Sequence, residues 1–204
     1  MNFLQKILRF LPFVGSSEQQ ILAHNVYVSL VEDARNPETF ISCKINDTVD
    51  GRFDVIVLHL SLLLRRINEA KENATENATE EDVVGLTMLS EELIGVYNTD
   101  MDRNLREIGV GDMSVGKHVK KMAKAFYGRL LAYDEALSQW SENKDQTLMQ
   151  EALKRNIYRG QVGEDALQAM LEYVDGYRKH LNSISVESLL SGVLPKKNKA
   201  QAGE

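Results

Sequence analysis

Cysteine is all but missing from this chain. Cys43 stands alone among 204 residues, so neither an intramolecular disulfide nor a cysteine-cluster metal site can form. Proline is scarce, with three copies, and the 13 glycines follow no period, which excludes collagen-like and proline-rich disordered architectures. No apolar run reaches the roughly 18 residues that a membrane-crossing helix needs. Positive charge is in deficit: 24 Lys and Arg against 30 Asp and Glu leave a formal charge of −6, which argues mildly against a general nucleic-acid binder. The four histidines, His24, His59, His118 and His180, form neither an HxxxH nor an HExxH pair, and no GxSxG elbow is present. Metal, haem and hydrolase chemistry therefore have no footing, no cofactor is expected, and the chain reads as a non-enzyme. What remains is an ordinary globular composition, 43% hydrophobic and 26% charged, over a length that suits one domain.

Hydrophobic spacing predicts helices throughout. Ser16 or Ser17 can cap a helix running to about Arg35, with Ile21, Val28 and Val31 on its core side, and Asn36-Pro37 breaks it. Asp47 to Gly51 is turn-like. Phe53, Ile56, Leu60, Leu63 and Ile67 then share a face of a central helix, in which His59 reads as a satisfied core histidine. Asn73 to Glu81 is a polar near-repeat read as a loop. From Val83 to about Ile108 the pattern fits one bent helix or two short ones, with Gly95 as the weak point. Val115, Val119, Met122, Phe126, Leu130, Tyr133 and Leu137 mark the clearest helix, with Ser114 as its cap. Helices over Asp145 to Tyr158 and Val162 to Ile184 follow, the latter with Ala166, Met170, Val174, Tyr177 and Leu181 facing inward. Nothing alternates like a set of strands. The expectation is an all-α, single-domain bundle of about six to eight helices over 15–190, flanked by an amphipathic helix over 1–14 and a polar tail over 191–204.

Three local patterns invite chemistry. Gly111 to Lys117 matches most of a phosphate-binding GxxxxGK loop, but His118 stands where a Ser or Thr must hold magnesium and no strand precedes it. A helix–loop–helix turn is the preferred reading. Asp100 and Asp102, two residues apart, do not share a helix face, so salt bridging with Arg103 or Arg106 is expected rather than paired-carboxylate catalysis. Cys43 has no local histidine and reads as an inert buried thiol.

Charge is distributed unevenly. Lys117 to Arg129 holds five bases and no acid, and Lys117, Lys120, Lys121 and Lys124 recur at helical spacing to form one stripe, followed by Phe126 and Tyr127. By contrast, Glu69 to Glu107 holds eleven acids and three bases. Such a basic face either is simply solvated or docks on an anionic partner: RNA, lipid or an acidic protein. At the N-terminus, Phe3, Leu4, Ile7, Leu8 and Leu11 lie at helical spacing with Lys6 and Arg9 among them. This segment fits a helix docked on the protein's own core, a membrane-surface anchor, or a presequence. It lacks a continuous apolar core and cleavage site of the secretory kind, and with the lone cysteine this favours a reducing, cytoplasmic setting.

Two blocks, DTVDGRFDVIVLHLSLLLRRI (Asp47 to Ile67) and DMDRNLREIGVGDMSVGKHVKKMAKAFYGRLLAYDEAL (Asp100 to Leu137), with the later ALKRNIY (Ala152 to Tyr158), resemble the ubiquinol–cytochrome c chaperone family. They cover roughly a third of the chain, in family order. The resemblance implies a non-catalytic helical assembly factor for the cytochrome bc1 complex that escorts newly made cytochrome b. It implies a small helper protein and, in fungi, contact with the mitochondrial ribosome; DNA is not expected. The short N-terminal segment favours an alphaproteobacterial, cytoplasmic member, peripheral at the inner membrane, or one on the matrix side if eukaryotic. Partner binding is expected at Lys117, Lys120, Lys121, Lys124, Phe126 and Tyr127, and membrane contact at Phe3, Leu4, Ile7, Leu8 and Leu11. A groove using Met88, Met101, Met113, Met122 and Met170 would shield an apolar client segment. The rival reading is a ribosome- or RNA-binding module built on the basic helix over 115–137.

Overall fold

The helical spacing of apolar residues is realised along the whole described chain. A computed structural model describes residues 17–72, 79–107, 109 and 111–197. The expected helix over 1–14, most of the polar near-repeat and residues 198–204 of the tail lie outside the described residues. Among the described residues there are eight helices and no strand: α1 (Ser17–Ala34), α2 (Pro37–Ser42), α3 (Val49–Glu72), α4 (Glu80–Glu107), α5 (Asp112–Asn143), α6 (Thr147–Asn156), α7 (Glu164–Ser183) and α8 (Val186–Leu190). The described residues form two compact units, one drawn from within 17–28, 67–128 and 186–194, the other from within 29–66, 129–185 and 195–197.

In the first unit, α1 and α4 run parallel. Gln19 Nε2 donates to Met88 Sδ at 2.8 Å, and two turns on Tyr27 Oη donates to Asp100 Oδ2 at 2.9 Å. The buried face of α1 is Ala23, Val26 and Tyr27, continued by Leu30 and Ala34, while Ile21 and Val28 are exposed. This corrects the expected face. Two apolar stripes compete on α1, and the one carrying small alanines packs closer. Helix α4 is a single helix: Gly95 lies within it with open space around its Cα, and Leu86, Leu93, Tyr97 and Met101 form its buried side. Thr79 caps it, its hydroxyl accepting from Asp82 N while Asp82 Oδ2 accepts from Thr79 N at 2.8 Å. Helix α8 packs beside Gly85, where an added Cβ would come within 2.9 Å of Leu190.

In the second unit, every residue of α3 from Asp54 to Leu64 is buried, as the long apolar run requires. Asn36 ends α1 and begins α2 in one step: its side chain accepts from Glu38 N at 3.1 Å, and Pro37 sits at the first helical position. Helix α3 starts at Val49, inside the expected turn. Gly51 is required there, because a Cβ would fall 2.2 Å from the Asn46 carbonyl oxygen. Arg66 closes the C-terminus of α7 by donating to Leu181 O and Ile184 O at 3.2 and 2.9 Å. The expected inward face of α7 is buried in full.

Part of the tail is held in place. Leu194 is buried within the first unit. In the second unit, His180 Nε2 lies 2.8 Å from Pro195 O, Lys196 pairs with Glu32 at 2.9 Å, and Lys197 sits over the Tyr173 ring at 5.1 Å.

Candidate interaction surface

Helix α5 separates core from charge by its period. At about 100° per residue, Lys117, Lys120, Lys121 and Lys124 fall within roughly 100° of arc, and Phe126 lies diametrically opposite. The four lysines are exposed. No described residue forms an ion pair with any of them. Their charges are therefore free to meet a partner.

Phe126 does not belong to that surface. It is 0% exposed and stacks on Tyr97 of α4 with ring centroids 4.2 Å apart. A side chain enclosed in the first unit's core cannot contact a partner, so the contact expected of Phe126 becomes a supporting role. Tyr127, packed edge-on against Phe126 at 5.1 Å, is half-buried at the margin of the basic face. Their wheel positions already contained this distinction, since Phe126 served in the sequence as both core and contact.

The near phosphate loop is not a loop. Gly116 and Lys117 lie inside α5, which begins at Asp112. Ser114 falls in the first turn and donates to Gly111 O at 2.9 Å rather than standing as the cap. Asp100 and Asp102 pair with Arg103 and Arg106 at 2.6 and 2.8 Å, as their spacing predicts. Among the described residues no group of His, Cys, Asp and Glu is placed to hold a metal ion. The expected methionine groove loses Met101 and Met170, which are core residues; Met88, against Gln19, and Met122 are half-buried. The Met113 side chain lies outside the described residues.

Sequence reasoning missed a buried charge cluster in the second unit. Asp54, 0% exposed, has Oδ1 2.8 Å from an Arg129 terminal nitrogen and accepts from Arg159 Nη2 on Oδ2 at 3.1 Å. Arg129 also lies over the Phe53 ring at 5.4 Å. Burial pushes the Asp54 carboxyl up to about 6, against the pull of both arginines. A cleft of about 520 Å³ opens beside it, lined by Asn46, Thr48, Asp50, Ile157, Tyr158 and Arg159 among others. The segments that carry the family resemblance, around Asp54, Arg129 and Tyr158, meet here. No local pattern signals this, because the partners lie 75 and 105 residues from Asp54 in the chain. The salt bridges tie α3, α5 and the segment after α6 together at this point.

Burial shifts both His59 and Cys43 toward their neutral forms. His59 Nδ1 lies 2.8 Å from Val55 O and Nε2 2.7 Å from Tyr173 Oη, and burial lowers the imidazole to about 4, so it is neutral near pH 7. Burial raises the Cys43 thiol.

Comparison with known proteins concerns the chain as a whole. The family described as ubiquinol–cytochrome C chaperone matches residues 42–197. The chain is 26% identical over 91% of its length to ubiquinol–cytochrome c reductase complex assembly factor 1 of Mus musculus, and 24% identical over 91% to that of Homo sapiens. It spans somewhat under two thirds of those relatives, 59% and 58% of their lengths. The crystal structure of the Cbp3 homolog from Brucella abortus superposes with a TM-score of 0.70 at 30% identity, covering 90% of this chain and 92% of that one.

Proposed function

The chain belongs to the ubiquinol–cytochrome c chaperone family, and from that premise we propose that it is a non-catalytic chaperone that binds newly made cytochrome b and supports assembly of the bc1 complex. The observation that carries this reading is the family match across residues 42–197, which includes all of α3 to α8. An all-α body in which Asp54 is salt-bridged and His59 is hydrogen-bonded on both ring nitrogens is compatible with a binding protein. Among the described residues no helix is long and apolar enough to cross a membrane. A client such as cytochrome b, with several apolar segments, would therefore be met from the membrane surface. In this reading the exposed face of α5 that carries Lys117, Lys120, Lys121 and Lys124, with Tyr127 at its edge, holds the chain at that surface and does not itself grip the client.

Deleting the gene in the source organism tests the proposal. Assembled bc1 complex on native gels should fall while other respiratory complexes persist, and the wild-type gene should restore it. Unchanged bc1 levels in the deletion strain would contradict the proposal.

The second reading, an RNA- or ribosome-binding module, draws on the same exposed basic face. It predicts steep loss of binding with salt, because each neutralised phosphate releases counterions.

A further inference from the structure

We infer that the basic face of α5 is a reversible docking surface for anionic lipid headgroups. Four exposed lysines with no ion-pair partner among the described residues make a cationic row on α5. They lie along one side of α5, and Lys117 to Lys124 spans about 10 Å of axis. A row of that form meets a plane with all its members at once, and a membrane surface is a plane.

The alternatives fit less well. Single-stranded nucleic acid is held by aromatic platforms beside its cationic groove. Here Phe126 is enclosed and Tyr127 is half-buried against it, so among the described residues no exposed Phe, Tyr or Trp of α5 accompanies the lysines, and His118 is the one exposed ring beside them. The membrane-embedded client is a poor match for a different reason. Cytoplasmic loops of multi-helix membrane proteins carry an excess of Lys and Arg, which a lysine face repels. Anionic headgroups attract each lysine near the surface, and the attraction is screened by salt. This choice of lipid over client rests on the chaperone reading; the free lysine face does not. Attachment through four lysines is weak enough to release, which suits a factor that leaves its client.

The test uses the full chain and extruded vesicles, of phosphatidylcholine alone or with about 30% phosphatidylglycerol, separated by flotation. The wild type should float with the anionic vesicles and hardly at all with the neutral ones. Raising salt from about 50 to 500 mM should release it. Reversing Lys120, Lys121 and Lys124 to Glu should lower partitioning at least tenfold, and changing the same three to Gln should lower it by an intermediate amount, with the helical circular dichroism intact. If instead the triple reversal binds as the wild type does, and only changing Leu4 and Leu8 to Glu abolishes flotation, the lysine face is not the docking surface. Tighter salt-sensitive binding to oligouridylate than to anionic vesicles overturns lipid as the ligand. Lysine-dependent flotation without effect of gene deletion on bc1 levels would retain this inference and remove the chaperone reading. The converse pair of results would do the opposite.

Discussion

At the residue scale, burial decides which polar groups carry charge. The His59 imidazole is lowered to about 4 in the native state against about 6.5 when exposed. Between those values the unfolded chain binds a proton that the native chain does not. Stability contributed by His59 is thus present above pH 6.5 and lost as pH falls toward 4, roughly 3 kcal/mol in all. Asp54 slopes the other way: its raised carboxyl takes up a proton in the native state below about 6, before the unfolded chain does. The contribution of His59 is isolated by subtracting the urea-unfolding free energy of His59→Gln from that of the wild type at each pH. The difference should change across pH 6.5 to 4 and be flat from 7 to 8. A flat difference throughout would mean that His59 titrates normally. Arg129→Met, which strips the better-buried partner from Asp54, should cost about 3 kcal/mol in urea unfolding. Arg159→Met should cost much less, since its side chain is 57% exposed. The histidine's role was legible because it sits inside an apolar run; the Asp54 cluster was not, because ion pairs between distant segments leave no local spacing.

At the element scale, capping and close approach fix where helices begin. Thr79→Ala removes the hydroxyl that caps α4 and should destabilise the protein by about 1 kcal/mol in thermal or urea unfolding. Gly51→Ala drives a methyl onto the Asn46 carbonyl oxygen and should cost about 1–3 kcal/mol, although alanine is the better helix former. A gain in melting temperature for Gly51→Ala would show that the turn before α3 yields freely. Long helices were readable from period alone: α3, α5 and α7 appear where apolar residues recur; the expected stripe of α7 is buried in full, and that of α5 is buried from Phe126 to Leu137, while Val119 and Met122 are half-buried. The short helices α2 and α8 span six and five residues, less than two turns, and offer no period to read. The face of α1 was misread because Ala23 and Ala34 give a weak hydrophobic signal yet pack most closely, while the larger Ile21 and Val28 remain exposed. The basic face of α5 was legible as a stripe. Placing Phe126 beside it required treating adjacent residues as neighbours on a helix whose period sets them far apart.

At the scale of the whole molecule, the chain is all-α among its described residues, its family is shown by most of its length, and none of its described helices is long and apolar enough to cross a membrane. The central claim is that this body engages cytochrome b before the bc1 complex is complete. The most direct measurement is affinity capture of the tagged full chain from gently solubilised native membranes, with the captured proteins identified and quantified. The account predicts cytochrome b enriched well above the other bc1 subunits, in a fraction distinct from mature complex. Ribosomal proteins and RNA captured without cytochrome b would contradict it and transfer the basic helix to an RNA contact.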